Sequence, residues 1–274
     1  YGEFRNNVAK LDGGAVYFKI KTINSNINAT FIANTAGDDG GAVCFSYDAE
    51  NVSVYGEFRN NVAKYGGATY FYNKITNLNI NASFIDNSAS IASDRSGIGG
   101  AVYISNEVSN LTINSIFIHN TAKDRGGAIG VGTASNSNIN AKFINNTAPW
   151  SGSTGAVSSW VNSYLLIEDS YFEGNLARFG AAIEIEELDQ KEVAVKNCTF
   201  YKNSGYSGVS INANANVKYL NVTNCTFDSN NFHGPQGAPT TGGMGAGITA
   251  GTSRKVPVTL EVSDCVFKNN YGDN

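Results

Sequence analysis

Apolar residues alternate with polar ones in short bursts along the whole chain, as at Val16, Phe18 and Ile20, Leu78 and Ile80, Val102 and Ile104, and Leu111 and Ile113. Period-two alternation marks strands with one buried face, because successive side chains of a strand point to opposite sides. No stripe at 3.6-residue spacing is long enough for an amphipathic helix. The bursts return at a fixed interval. Between them stands F-x-x-N, with phenylalanines Phe4, Phe31, Phe58, Phe84, Phe117, Phe143, Phe172, Phe200, Phe227 and Phe267. The paired asparagines are Asn7, Asn34, Asn61, Asn87, Asn120, Asn146, Asn175, Asn203, Asn230 and Asn270. Ten residues, Tyr1–Lys10, recur unchanged at Tyr55–Lys64.

A Gly-Gly-Ala follows each of the first copies, at Gly13-Gly14-Ala15, Gly40-Gly41-Ala42, Gly66-Gly67-Ala68, Gly99-Gly100-Ala101 and Gly126-Gly127-Ala128, and degrades after Gly155. A unit of about 27 residues holding about three short strands fits one coil of a parallel β-helix better than a hairpin sandwich. The chain is therefore expected to be all-β, a right-handed single-stranded parallel β-helix of about ten coils, forming one continuous domain over residues 1–274. Phe should stack on Phe inside the coil. The ladder Asn should take a left-handed turn conformation and bond its equivalents on neighbouring coils. Paired glycines should make the bend where a Cβ would collide. Both ends break into the repeat, which reads as a fragment of a longer repetitive surface protein.

The spacing from each Ala of Gly-Gly-Ala to the next Phe holds at 15 or 16 residues over the first six units. The segment from Phe to Gly swells instead, at Ser88–Ile98, Ala148–Thr154 and Asn230–Gly245. Loops leaving one corner are where repeat proteins commonly bind partners. From Glu168 onward the strand before Phe changes to V-x-N-C-T-F and its relatives. Cys198, Cys225 and Cys265 then share the inward face as buried thiols, since parallel stacked side chains give poor disulfide geometry. Cys44 falls in an outward column and is expected to be an exposed, unpaired thiol.

Charge adds little. The 274 residues carry a net charge of −4 with 15% charged residues, which argues against nucleic acid or anionic lipid as a partner. No apolar run approaches the length of a membrane span, so no direct membrane insertion of this segment is expected. The best acidic cluster is Glu184 and Glu186 with Glu187 and Asp189, on an exposed strand and loop beside Trp160, an arrangement that could hold or cleave a sugar. A second acidic column, Asp12, Asp38, Asp39, Asp94 and Asp124, interleaves Arg95 and Arg125. It could bind Ca²⁺, although no calcium-loop motif is present and no cofactor is otherwise expected. His119 and His233 have no partners for a metal or a triad. Tyr17, Tyr70, Tyr72, Tyr103 and Trp160 fall at outward positions and form the candidate binding face, since exposed aromatics bring large contact area at low entropy cost. Sequons begin at Asn28, Asn51, Asn81, Asn110, Asn145, Asn197, Asn221 and Asn224, mild support for export.

F-x-x-N with G-G-A-[IV] at irregular intervals resembles the polymorphic outer-membrane protein repeat of chlamydiae and the adhesin-like surface proteins of methanogenic archaea. The Asn-rich N-I-N-A-T-F-I-x-N-T-A run is closer to the archaeal group. The resemblance implies a parallel β-helix at the extracellular face of a cell, serving adhesion to a glycan or a cell-surface protein, and it supplies no catalytic residues. The expected function is a non-enzymatic adhesin-like module. Alternatives are a carbohydrate-active enzyme working at Glu184 and Glu186, or a fibre or sheath subunit associating end to end through open coil edges.

Overall fold

The structure, a computed structural model, describes residues 2–91, 96–149, 154–162, 164–185, 192–205, 208–213, 217–232, 245–250 and 258–272. These residues contain strands, bends and turns and no helix. Among the described residues every strand pairing is parallel, in a 22-stranded sheet and a 10-stranded sheet. The chain is a parallel β-solenoid. One coil consists of a short strand after Gly-Gly-Ala, a long strand, and a two-residue strand after F-x-x-N, as in Val43–Phe45, Ala49–Arg59 and Val62–Ala63. Equivalent residues pair on successive coils, so Phe31 stands on Phe58 and Phe58 on Phe84.

Stacking in register explains the repeated letters. All ten phenylalanines form one column with rings 4.5–5.1 Å apart and nearly parallel. Phe18, Phe45 and Phe71 begin a second column. The ten asparagines form the expected ladder inside the coil: Asn34 donates from both its backbone N–H and its Nδ2 to Oδ1 of Asn61, at 3.0 and 2.9 Å. From Asn34 onward each Nδ2 also donates to a Phe carbonyl of the preceding coil, as from Asn61 to Phe31 at 3.0 Å. From Asn34 to Asn230 the ladder is fully buried, which is tolerable because its amides are satisfied.

The left-handed turn lies one residue earlier than expected. Asn6, Ala33, Asn60, Asp86, His119, Asn145, Lys202, Ser229 and Asn269 have φ between +52° and +55°, whereas the ladder asparagines that follow them do not have positive φ. The ladder amide is what requires Asn, and the turn accepts several residues. Within Gly-Gly-Ala the two glycines differ in purpose. The first has positive φ, as at Gly66 (+57°), while a Cβ on the second would overlap the next coil's glycine carbonyl, as Gly67 would that of Gly100.

A second set of asparagine ladders runs along the outside. Asn51 bonds Asn24, Asn77 bonds Asn51, Asn110 bonds Asn77 and Asn136 bonds Asn110, all by Nδ2 to Oδ1 at 2.6–2.9 Å and all with positive φ. After Asn136 this corner moves: Asp169, Asn197 and Asn224 take over, with Asn197 donating to Asp169 and Asn224 to Asn197. That shift is the physical content of the change in motif after Glu168. In the later coils the long strand splits there, as into Glu192–Lys196 and Thr199–Tyr201.

Cys198 and Cys225 are buried, Cys265 is half-buried, and all four cysteines are free thiols. The column they occupy continues Ser115, Ala141 and Ser170. In it the Cys198 N–H donates to Cys225 Sγ, and the Cys225 N–H to Cys265 Sγ. These sulfurs therefore act as acceptors for inward-pointing amides, beyond filling apolar space.

Candidate functional site

The aromatic face was expected on the outward side of the strand after Gly-Gly-Ala, and the structure divides it. The column there reads Tyr17, Cys44, Tyr70, Tyr103, Gly130, Ser158, Glu184 and Asn212. Tyr17 and Tyr72 are exposed, at 42% and 49%, but Tyr70 is only 4% exposed, and Tyr103 and Trp160 are half-buried. Cys44, expected to be exposed, is fully buried.

The cause is a roof. The residues just before Gly-Gly-Ala bridge from coil to coil as Asp39, Tyr65, Ile98, Arg125, Thr154 and Phe179. A positive-φ glycine follows each of these except Thr154 and folds the chain back, placing Gly40, Gly66 and Gly99 against the β-carbons of Cys44, Tyr70 and Tyr103. An outward strand position is thus covered by the chain's own corner.

What remains accessible is the margin of a packed aromatic cluster. Tyr70 meets Tyr72 and Tyr103 at ring-centroid distances of 6.2 and 5.4 Å, and Tyr65 meets Tyr103 at 5.9 Å. Gly130 leaves a gap in the column that Ile98 and Tyr103 fill, so a Cβ there would be crowded by both. Trp160 packs edge-on against Tyr103 at 5.9 Å, and the Arg125 guanidinium lies 5.7 Å from the indole centre. Cation–π and edge contacts of this kind hold rings in place. Burial pushes the Tyr70 hydroxyl far above its usual range, and Tyr103 in the same direction. Both phenols stay neutral.

Glu184, expected on an exposed acidic strand, is 1% exposed, and Asn212 Nδ2 donates to both its carboxylate oxygens at 3.0 and 2.8 Å. It is held beneath the roof, against the turn at Gly180. Glu186, Glu187 and Asp189 lie outside the described residues, as do Asp94, Arg95, His233 and most of the Asn230–Gly245 loop. His119 sits at a turn, 3.5 Å from Asp86.

Of the acidic column, Asp12, Asp38 and Asp39 converge, with one carboxylate oxygen of each within 4.8 Å of the others. Burial, then Asp38 and Asp12, push Asp39 up to about 7, and the Lys64 charge opposes them. The trio can share a proton or a cation among its oxygens. Asp124 stands apart, 3.6 Å from Arg125.

One feature had no place in the sequence reading. A groove of about 350 Å³ crosses the long strands, with Asn81, Asn114 and Asn140 on one wall. The N-I-N-A and I-N-S words carried it, as an Asn standing just before a small residue. No protein-family model, curated protein or solved structure matches the chain.

Proposed function

We propose that the chain is a non-enzymatic, adhesin-like module of an extracellular cell surface, a rigid solenoid that presents a binding face to a glycan or a cell-surface protein. The observation carrying this reading is the aromatic cluster, whose buried Tyr70 and half-buried Tyr103 fix an accessible margin of exposed Tyr72 and half-buried Trp160. Rigid aromatic anchors beside an Arg are the composition of protein and sugar contact sites. Burial of Glu184 under the corner supports the non-enzymatic side, because a carboxylate fully engaged by Asn212 cannot meet a glycosidic bond. The resemblance of the repeats to archaeal adhesin-like proteins points the same way. The test is attachment of the purified chain to cells and to a glycan array. Tyr72→Ser with Trp160→Ser should abolish attachment, and full attachment by that variant would refute the aromatic face.

A further inference from the structure

We propose that the groove walled by Asn81, Asn114 and Asn140 binds an uncharged oligosaccharide strand laid along the solenoid axis. The groove is a built feature of the backbone. Its floor runs through Gly56, Ala82, Ser115 and Ala141, which stand on consecutive coils. At this point the pairing of the long strand with the next coil is interrupted at Asn81 and Ala82, and some of its amides turn inward. The Ala82 N–H donates to Ser115 Oγ at 3.1 Å and the Ala141 N–H to Ser170 Oγ at 3.0 Å, while the two hydroxyls donate to the Ile80 and Ile139 carbonyls. Gly56 takes φ +99°, with its α-carbon so close to Ala29 that a Cβ would overlap the Ala29 carbonyl. The concavity is therefore held without a ligand, which is the preorganisation a binding site needs.

The amides on its wall behave unlike their relatives. In the interior ladder and in both exterior ladders, an Asn amide on one coil donates to the neighbouring coil. Asn81, Asn114 and Asn140 also stand on consecutive coils. Strand spacing would permit the same ladder at about 4.8 Å per step. Yet none of the three side-chain amides has a hydrogen-bond partner among the described residues, and Asn81 and Asn114 are exposed. Each carries two donors and an acceptor, uncommitted, at the rim of one cavity.

That chemistry selects hydroxyl groups. A row of neutral amides offers a donor and an acceptor to each step of a polyol chain, and the groove, reaching from Gly56 to Asp169, is too long for one sugar ring. Charge selects no polyanion, because Lys142 and Asp169 both line the groove with opposite signs. The site is separate from the aromatic cluster. It rests on the attachment reading only for its biological use.

The experiment is calorimetric titration of the 274-residue chain with neutral β-linked glucose, mannose and N-acetylglucosamine oligomers of two to six units, and with a uronate oligomer. A neutral oligomer should bind, more tightly as it lengthens. The triple variant Asn81→Leu, Asn114→Leu, Asn140→Leu should lose roughly tenfold or more in affinity with its melting temperature unchanged. Tyr72→Ser with Trp160→Ser should keep the affinity. If the triple variant melts early, Asn114→Leu alone takes its place, read the same way. Unchanged affinity in the groove variants, binding of the uronate oligomer alone, or no neutral oligomer bound by the parent chain would each overturn the proposal. The last result leaves the aromatic face standing or falling on cell attachment.

Discussion

Asn61 donates both its backbone N–H and its side-chain Nδ2 to one atom, Oδ1 of Asn87, each at 3.0 Å. Its own Oδ1 receives the same pair from Asn34, and its Nδ2 also reaches the Phe31 carbonyl. One side chain thus satisfies buried groups on both adjoining coils. Asn61→Ala strands them, and each unsatisfied buried group costs about 1–3 kcal/mol. A loss of roughly 3 kcal/mol or more is expected. Asn61→Asp should be worse, since it places a charge, with no side-chain donor, opposite the Phe31 carbonyl and the Asn87 oxygen. Urea midpoints of the two variants measure this, and an Asp variant as stable as the parent would contradict the ladder.

Glycine substitutions should separate close approach from mere flexibility. A Cβ at Gly100 would overlap the Gly127 carbonyl of the next coil and press on Thr121 backbone atoms, all of them main chain that cannot yield. At Gly2 the nearest atoms lie at 3.8 and 3.9 Å, ordinary contact. Gly100→Ala is therefore expected to lower the melting temperature by several degrees or to prevent folding, whereas Gly2→Ala leaves it within error. Thermal melts followed by circular dichroism distinguish them.

The sequence disclosed whatever each coil must repeat. Phe58 and Asn61 contact their own equivalents above and below, so identity at every copy was enforced and visible, and Gly67 does the same as far as Gly155, beyond which Ala181 takes the place. Their neighbours were not. The left-handed turn was placed on the Asn because the Asn repeats, while the true turn residue varies from Ala33 to His119 to Lys202. Tyr70, Cys44 and Glu184 looked outward by alternation, and they are. Their cover comes from corner residues as unlike as Asp39, Tyr65 and Thr154, a set with no hydrophobic pattern to announce a roof. Alternation reports which side of a strand a residue faces, and says nothing of what the chain later lays across that side. The groove escaped for a related reason: it depends on inward serines 115 and 170, which in sequence are ordinary strand residues.

Thiol reactivity should follow the roof. Burial pushes the Cys44 thiol up to about 12, against a weak contact with Ser46 and with Asp39 adding to the shift. A hydrogen bond with Cys225, followed by burial, holds Cys198 well above the ordinary thiol range. The thiolate is the reacting form; burial raises Cys265 as well, but it is the half-buried one of the four, so alkylation of the native chain should begin there by access and reach Cys44 and Cys198 only with denaturation. Mass mapping of the labelled sites checks the order. Cys225→Ser should be milder than Cys225→Ala by about 1 kcal/mol, because a hydroxyl already accepts the inward amide at Ser170 and can do so here.

The trio of Asp12, Asp38 and Asp39 gives the fold a pH dependence of definite sign. Asp39, raised to about 7 mainly by burial and then by Asp38 and Asp12, keeps its proton in the folded chain when the unfolded chain has released it. An unfolded Asp ionises near pH 3.9. Between about pH 4 and pH 7 the folded state thus binds more protons than the unfolded state, and stability falls as pH rises through that window. The contribution is whole below pH 4 and gone above 7. Asp12, also raised by burial and Asp38, works in the same direction. Glu3 and Asp228, lowered by hydrogen bonds to Arg5 and Asn269, have the opposite sign, but theirs is lost only as pH falls below the usual carboxylate range. Lys64 limits the effect by favouring ionised Asp39. The melting temperature should therefore be a few degrees higher at pH 5 than at pH 8, and Asp39→Asn, a neutral mimic of the protonated acid, should remove most of that difference. A parent chain more stable at pH 8 than at pH 5, or an Asn variant with the parent's full pH slope, would show that the proton does not sit on this cluster.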